Sequence, residues 1–427
     1  MRRDVDTHSA SLPEREDRAT SPQTGDQLSS GNANPDAFQA QHRALKALER
    51  RGRLRHLAPR DGLDFASNDY LGLATSAELR DAVTRAITND KLKVGSGGSR
   101  LLRGNHPQHE ALEAEAASFF GSQTALYFAS GFSANAALIS TLPQRGDLIV
   151  FDELIHASAH DGMLQTKAAT QKAAHNDANS FAETIEQWRK AGGHGTPWIV
   201  VESLYSMDGD IAPLDALASV ADAYNAVLVI DEAHATGIYG PDGRGLAAHL
   251  EGREHVITLH TCGKALGVMG GLICGPPIVK EFLINRARAF IYATAPSPIV
   301  CAAVRTALKL CQTDTKRRPT LEENIKHATQ VFQKHLGFAP SNTQIQPIIL
   351  GREADTVAVA SALQNKGYDI RAIRPPTVAE GTARLRIAIT NNVTTDDIDA
   401  MANALKATLT DRQIRPVQPL APASPAH

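Results

Sequence analysis

The chain has 427 residues, a formal net charge of -2 and 42% hydrophobic residues, enough for a large domain with a smaller one beside it. Near-neutral charge without a basic tract argues against nucleic-acid binding, and no apolar run reaches the roughly 20 residues of a membrane helix. Four cysteines, Cys262, Cys274, Cys301 and Cys311, lack CxxC spacing, so a reduced, cytoplasmic setting is expected, with neither a disulfide framework nor a metal site.

Residues 1–38 are rich in Ser, Pro, Asp, Asn and Gln and almost free of apolar side chains, which predicts a disordered extension. Arg2 and Arg3 are followed by acidic residues instead of an apolar segment, which argues against a signal or transit peptide. A basic helix is predicted from Gln39 to about Leu57. It carries Leu45, Leu48 and the cluster Arg50, Arg51, Arg53 and Arg55, mostly a solvated face. LDFASNDYLGL, from Leu63 to Leu73, reads as a strand entering an Asn-Asp turn. GSGGSRLLRG, from Gly95 to Gly104, reads as a flexible loop before a helix from about Pro107 to Phe120. Such a loop is weak evidence for phosphate binding by itself, and no GxxxxGKS/T pattern occurs.

Beyond Phe120 the chain alternates. Apolar runs at Ala125–Phe128, Leu148–Phe151, Trp198–Val201, Val227–Ile230 and Val256–Leu259 are separated by stretches of helical spacing, the pattern of a mostly parallel sheet covered on both faces. Leu272–Cys274 reads as a further strand, with Lys264 on the turn before it. Ligands of such sheets bind beyond the carboxyl ends of the strands. That rule selects Ser130–Phe132, His156, Glu202–Ser206, Asp231–His234 and Thr261–Lys264.

Each of these has a plain reading and a chemical one. Lys264 sits among Gly263, Ala265, Leu266 and Gly267, surroundings that disfavour a charged amine and favour Schiff-base chemistry, although a surface lysine on a hairpin fits the same residues. Ser130, Gly131 and Phe132 open a helix whose N-terminus is an anion site or a simple capped turn. Asp231 closes an apolar run, so its carboxylate needs a partner: a protonated pyridine nitrogen, a magnesium ion or an arginine. With Glu232, Ala233 and His234 it also spells the DEAH box of helicases, here without a phosphate loop. His156 is placed for ring stacking or proton transfer, and Ser206 precedes an Asp-Gly turn. Together the groups supply a phosphate cradle, an aromatic histidine, an acid for a ring nitrogen and an amine for an aldehyde, which are the requirements of pyridoxal 5'-phosphate.

The motifs SNDYLGL, GSGGSRLLRGNHPQHEALE, ASGFSAN, DELIHAS, ESLYSMDGD, IDEAHATG, TCGKALGVMGG and PPTVAEGTARLRIAIT occur in order between about Gln39 and Leu405. In them the chain resembles the α-oxoamine synthases, a branch of the fold-type I pyridoxal phosphate enzymes. The resemblance implies an α/β fold: a large domain with a mostly parallel seven-stranded sheet between helices, plus a smaller C-terminal α/β domain. The implied boundaries are 39–90 for an N-terminal helix and arm, 91–296 for the cofactor-binding domain, 297–412 for the C-terminal domain and 413–427 for a flexible tail.

Carried over by motif, Lys264 would hold the cofactor, Asp231 would pair with its ring nitrogen, and His156 would stack on the ring. Ser206 and His234 would lie near the ring hydroxyl, and Thr261 with the Gly131 and Phe132 backbone would hold the phosphate. Thr294 would reach the phosphate of a neighbouring subunit, implying a homodimer with shared sites. Arg386 would bind the amino-acid carboxylate, a task suited to its fork of donors, with Asn68 and Thr377 on the substrate side. GRLRHL offers both Arg53 and Arg55 for a further substrate contact, and Arg55 is favoured. The GNHPQHEALE run is most similar to family members that join L-alanine to a pimeloyl thioester, on CoA or a carrier protein, in biotin synthesis. Near relatives use glycine or serine.

Overall fold

The computed structural model describes residues 37–57 and 61–418. Most of the extension predicted over 1–38, and the tail from residue 419 on, lie outside the described residues. The chain divides into two compact units, Met1–Leu54 and Arg55–His427. In the first unit the basic helix spans Gln39–Arg50 and buries none of its residues. It ends short of the predicted Leu57 because Gly52 takes a φ of +65°, a left-handed conformation that terminates α-helical hydrogen bonding. Arg53 and Arg55 therefore follow the helix instead of lying on it.

Among the described residues the second unit has twelve strands: β1 (Leu63–Asp64), β2 (Thr124–Phe128), β3 (Leu148–Asp152), β4 (Ala169–Ala173), β5 (Pro197–Glu202), β6 (Val227–Asp231), β7 (Val256–Thr261), β8 (Gly271–Gly275), β9 (Ile345–Gly351), β10 (Tyr368–Asp369), β11 (Arg371–Ile373) and β12 (Ala383–Ala388). Seven form one sheet in the order β2-β8-β7-β6-β5-β3-β4. β8 runs antiparallel to both its neighbours, and the other pairings are parallel. A second sheet, β11-β12-β9, is antiparallel and belongs to the smaller C-terminal part.

The apolar runs mark six of the seven strands. The missing one is β4, ATQKA, an edge strand with four of its five residues exposed, so no burial demand shaped its sequence. The longer strand read from Leu63 shrinks to two residues paired with β10. Asp64 Oδ1 accepts the N–H groups of Ala66 and Ser67 at 3.1 and 2.8 Å and turns the chain away. The glycine-rich loop expected to be flexible is tied down instead. Gly104 N–H donates to Ser99 O, Arg100 Nη1 pairs with Glu113 Oε1 at 2.8 Å, and Ser96 Oγ donates to Pro296 O at 2.6 Å.

Along β5, Trp198 and Val200 face one buried cluster while Ile199 and Val201 face another, which is why central strands of this sheet read as unbroken apolar runs. A third cluster joins the helix Pro107–Phe120 to Cys262, just past β7, to β8 and to the C-terminal sheet through Phe120, Leu272, Leu385 and Ile387. Each such buried side chain contributes about 1.5–3 kcal/mol. This packing sets the carboxyl ends of β5 and β6 side by side, with Glu202 in register with Asp231.

Candidate active site

Lys264 lies on the turn between β7 and β8. Gly267, at φ +67°, lets that turn approach the 73–74 backbone, where a Cβ would come within 2.4 Å of Ala74 N. The lysine Nζ lies 2.8 Å from His234 Nε2. Burial lowers its pKa to about 8, although Asp231 pulls the other way. Attachment of an aldehyde needs the free amine, so the rate at which the apoprotein takes up a pyridoxal cofactor should rise with pH through about 8 and level off above it. Stopped-flow absorbance across pH 6–11 checks this, and a midpoint at the ordinary lysine value near 10.5 would refute it.

His234 is buried and bonded on both sides. Tyr70 Oη lies 2.8 Å from its Nδ1. The Tyr70 hydroxyl proton goes to Asn68 Oδ1 at 2.8 Å, so His234 Nδ1–H donates to Tyr70 and Nε2 is left to accept from the lysine amine. Burial, with Lys264 and Arg386 nearby, holds His234 well below its usual pKa and therefore neutral. Arg386, on β12, donates through Nη2 to Tyr70 Oη at 3.2 Å and through Nε to Ser206 O at 2.6 Å. Ser206 N–H in turn donates to Glu202 Oε2 at 3.2 Å.

Asp231 closes β6 with both oxygens engaged: Oδ1 accepts from Ala233 N–H at 2.9 Å and Oδ2 from the Asn135 amide at 3.0 Å. Asn135 also donates to Ser158 Oγ at 2.9 Å, which lies 2.8 Å from His156 Nδ1. His156 caps the helix Ala157–Gln165, and burial keeps its imidazole below the ordinary pKa against the pull of Asp231. The tetrapeptide Asp-Glu-Ala-His thus splits. Asp231 and His234 face this network, while Glu232 accepts from Leu246 and Ala247 N–H at 3.0 and 2.5 Å, its pKa raised to about 7 by burial.

Ser130 Oγ accepts from Ser133 N–H at 3.1 Å and caps the helix Gly131–Thr141, leaving its first N–H groups aimed outward. A Cβ on Gly131 would stand 2.9 Å from Thr261 Oγ1, so only glycine keeps the helix start open beside that hydroxyl. Phe132 is exposed, with its ring centroid 6.3 Å from that of His156. Arg55 Nη2 donates to Thr377 Oγ1 at 3.2 Å on the exposed side. Thr294 is exposed, and among the described residues no hydrogen bond joins it to the rest.

Two contributors were not singled out by sequence reasoning, and a third, Glu202, was selected with its strand end but given no role. Asn135 and Tyr70 lie within the motifs ASGFSAN and SNDYLGL, but nothing local marks which residue of each turns inward. Glu202 did carry a signal, since it closes the run PWIVVE as Asp231 closes VLVID. Burial and the neighbouring Asp231 hold its pKa well above the carboxylate range, and its Oε1 is buried with no hydrogen-bond partner among the described residues. An amine of lowered pKa, a carboxylate at a strand end, neutral imidazoles, an acid-form carboxyl with a donor to spare and an open helix N-terminus beside Thr261 together fit a phosphorylated pyridine aldehyde.

Residues 60–405 match the family model of class I and II aminotransferases. The chain is 40% identical over 352 residues to the 8-amino-7-oxononanoate synthase of Acidithiobacillus ferrooxidans (strain ATCC 53993 / BNL-5-31), covering 81% of this chain and 88% of that one. With the Chromobacterium violaceum enzyme of the same name it shares 40% identity, covering 81% and 89%. Among solved structures it resembles Sphingomonas wittichii serine palmitoyltransferase, with a TM-score of 0.79, 26% identity and coverage of 88% of this chain and 98% of that one. It also resembles the 8-amino-7-oxononanoate synthase of Francisella tularensis, with a TM-score of 0.69, 27% identity and coverage of 83% and 99%. The TM-scores favour the palmitoyltransferase and the identities the oxononanoate synthases. Backbone superposition reports the shared fold, whereas side-chain identity follows substrate chemistry more closely. The chain belongs to the class I and II aminotransferase family and, within it, to the 8-amino-7-oxononanoate synthases.

Proposed function

We propose that the chain catalyses the decarboxylating condensation of L-alanine with a pimeloyl thioester, on CoA or a carrier protein, to 8-amino-7-oxononanoate in biotin biosynthesis. The cofactor is pyridoxal 5'-phosphate. The observation that carries the reading is 40% identity to enzymes of that name over most of both chains, joined to a buried amine within hydrogen-bond reach of a neutral histidine. When bound, pyridoxal phosphate supplies an aldehyde for amine exchange and a ring that withdraws electrons from the amino-acid α-carbon.

Every other role falls to the chain. Lys264 Nζ holds the cofactor, then removes the α-hydrogen as general base, with a pKa near 8 suited to that transfer. With the cofactor bound, Asp231 would hold its ring nitrogen protonated, His156 would stack on the ring, and His234 and Ser206 would orient the ring hydroxyl. Thr261 with the Gly131 and Phe132 N–H groups receives the phosphate, joined by Thr294 of a second copy in a homodimer. Arg386 orients the amino-acid carboxylate beside Asn68, while Arg55 and Thr377 border the thioester. The α-carbon attacks the thioester carbonyl, the C–S bond breaks and the thiol leaves, carbon dioxide is lost from the resulting β-keto acid, and a proton returned to the α-carbon gives the amino ketone. Among the described residues no helix is long and apolar enough to cross a membrane. The four free cysteines are buried, which supports a cytoplasmic setting.

Turnover with L-alanine, glycine and L-serine, each with pimeloyl-CoA, tests the reading. Release of free thiol with L-alanine alone supports it, and preference for glycine or serine moves the chain to a sister activity. Arg386→Lys should raise KM for L-alanine about 10- to 100-fold by loss of a bidentate charged pair. An unchanged KM would take Arg386 out of carboxylate binding.

A further inference from the structure

Beside the assigned site, His175 stands between two carboxylates. Its Nδ1 lies 2.8 Å from Asp152 Oδ1 and its Nε2 lies 2.6 Å from Asp210 Oδ2. Carboxylates on both sides call for a donor at each ring nitrogen, which only the imidazolium provides. Burial opposes that charge, yet the hydrogen bonds to Asp152 and Asp210 raise the pKa to about 10. Asn176 completes the cluster. Its φ of +55° lets its N–H reach Asp152 Oδ2 at 2.8 Å while its amide donates to Asp210 Oδ2 at 2.6 Å. The Tyr205 ring meets the imidazole edge-on, with centroids 4.5 Å apart.

Each carboxylate leads to a site residue. Asp152 is the last residue of β3, and the chain runs from it into His156. Asp210 closes the loop that begins at Ser206: Tyr205 N–H donates to Asp210 O at 2.9 Å and Gly209 N–H to Tyr205 O at 3.0 Å. From the C-terminal part, Arg384 pairs with Asp208, Thr343 Oγ1 donates to Gly209 O at 2.9 Å and Arg386 Nε holds Ser206 O. The loop is thus gripped from one side by the β12 arginines and from the other by His175.

We propose that His175 is a positioning residue, an imidazolium that ties the end of β3 leading to His156 to the 206–210 loop and so sets the place of Ser206 and, through Ser206 O, of Arg386. The inference rests on the proposed condensation, because it assigns Arg386 to the amino-acid carboxylate. Without the cation, Asp152 and Asp210 are left facing each other, and their repulsion moves the loop and the arginine docked on it.

The test uses the holoenzyme. In His175→Gln, kcat/KM for L-alanine should fall on the order of 10- to 100-fold, through KM for L-alanine and not KM for pimeloyl-CoA, with the cofactor still bound. The double variant His175→Gln/Asp210→Asn removes one of the opposed charges and should recover most of the loss. A histidine that only fills space gives no recovery, and that result overturns the proposal, as does an unchanged KM in the single variant. If His175→Gln fails to fold, the protonation of the His175 ring in the wild type decides instead. Independently of activity, ¹⁵N spectra of the apoprotein at pH 8 should show the His175 ring doubly protonated, and a neutral ring overturns the assignment. The wild type, run alongside, separates the two readings. If it turns over no L-alanine the condensation falls, and His175 is judged by the ring protonation and by amino-acid Kd from cofactor absorbance.

Discussion

Lys264→Ala should lower turnover by about 10⁴-fold or more, because in the proposed mechanism the one side chain is both the attachment point and the general base. The fold should survive. Among the described residues the lysine makes its one side-chain hydrogen bond to His234, which keeps its second bond to Tyr70. Removing a buried amine whose pKa is already depressed also relieves a desolvation cost. Borohydride reduction followed by mass measurement should then find no cofactor on the protein, while circular dichroism shows an unchanged melt. Turnover within tenfold of wild type would end the pyridoxal reading of this site.

Asp231→Asn should cost about 10³-fold in kcat while cofactor is retained, because an amide cannot hold a ring nitrogen in its protonated form. The hydrogen bonds sharpen this expectation. Asp231 accepts at both oxygens, from Ala233 N–H and from Asn135. An asparagine has a single acceptor oxygen, so one buried donor loses its partner at a cost of about 1–3 kcal/mol. Asp231→Asn should therefore lower the melting temperature of the apoprotein as well, whereas a carboxylate serving only the cofactor would leave the apoprotein unaffected. Steady-state kinetics with a thermal melt distinguish these outcomes, and normal kcat would remove Asp231 from its role.

Much of the central sheet was legible because burial on both faces imposes unbroken apolar runs, as in VLVID, and a polar residue ending such a run is conspicuous. That contrast singles out Asp231 and Glu202. It fails at β4, where ATQKA lies on an exposed edge and pays no burial penalty for Thr, Gln or Lys. It fails again at Leu63–Asp64, where an Asp side chain bonding two following N–H groups ends the strand early. The Gly95–Gly104 loop looked flexible because its glycines are visible in sequence, while the Arg100–Glu113 pair that holds it spans 13 positions.

Local patterns of a few residues pointed to the chemistry: a lysine in a tight apolar turn, an acid at a strand end, a histidine beyond another and a glycine opening a helix. Tertiary structure decided which groups meet. Asn135 reaches Asp231 across 96 positions and Arg386 reaches Ser206 across 180, and His175 finds Asp210 35 residues away. A hydrogen bond acts over about 3 Å, so these pairings exist only once the sheet and the helices around it have closed. They set the neutral His234, the acid-form Glu202 and the cationic His175, because protonation state follows from burial and neighbouring charge, which no residue carries in its name.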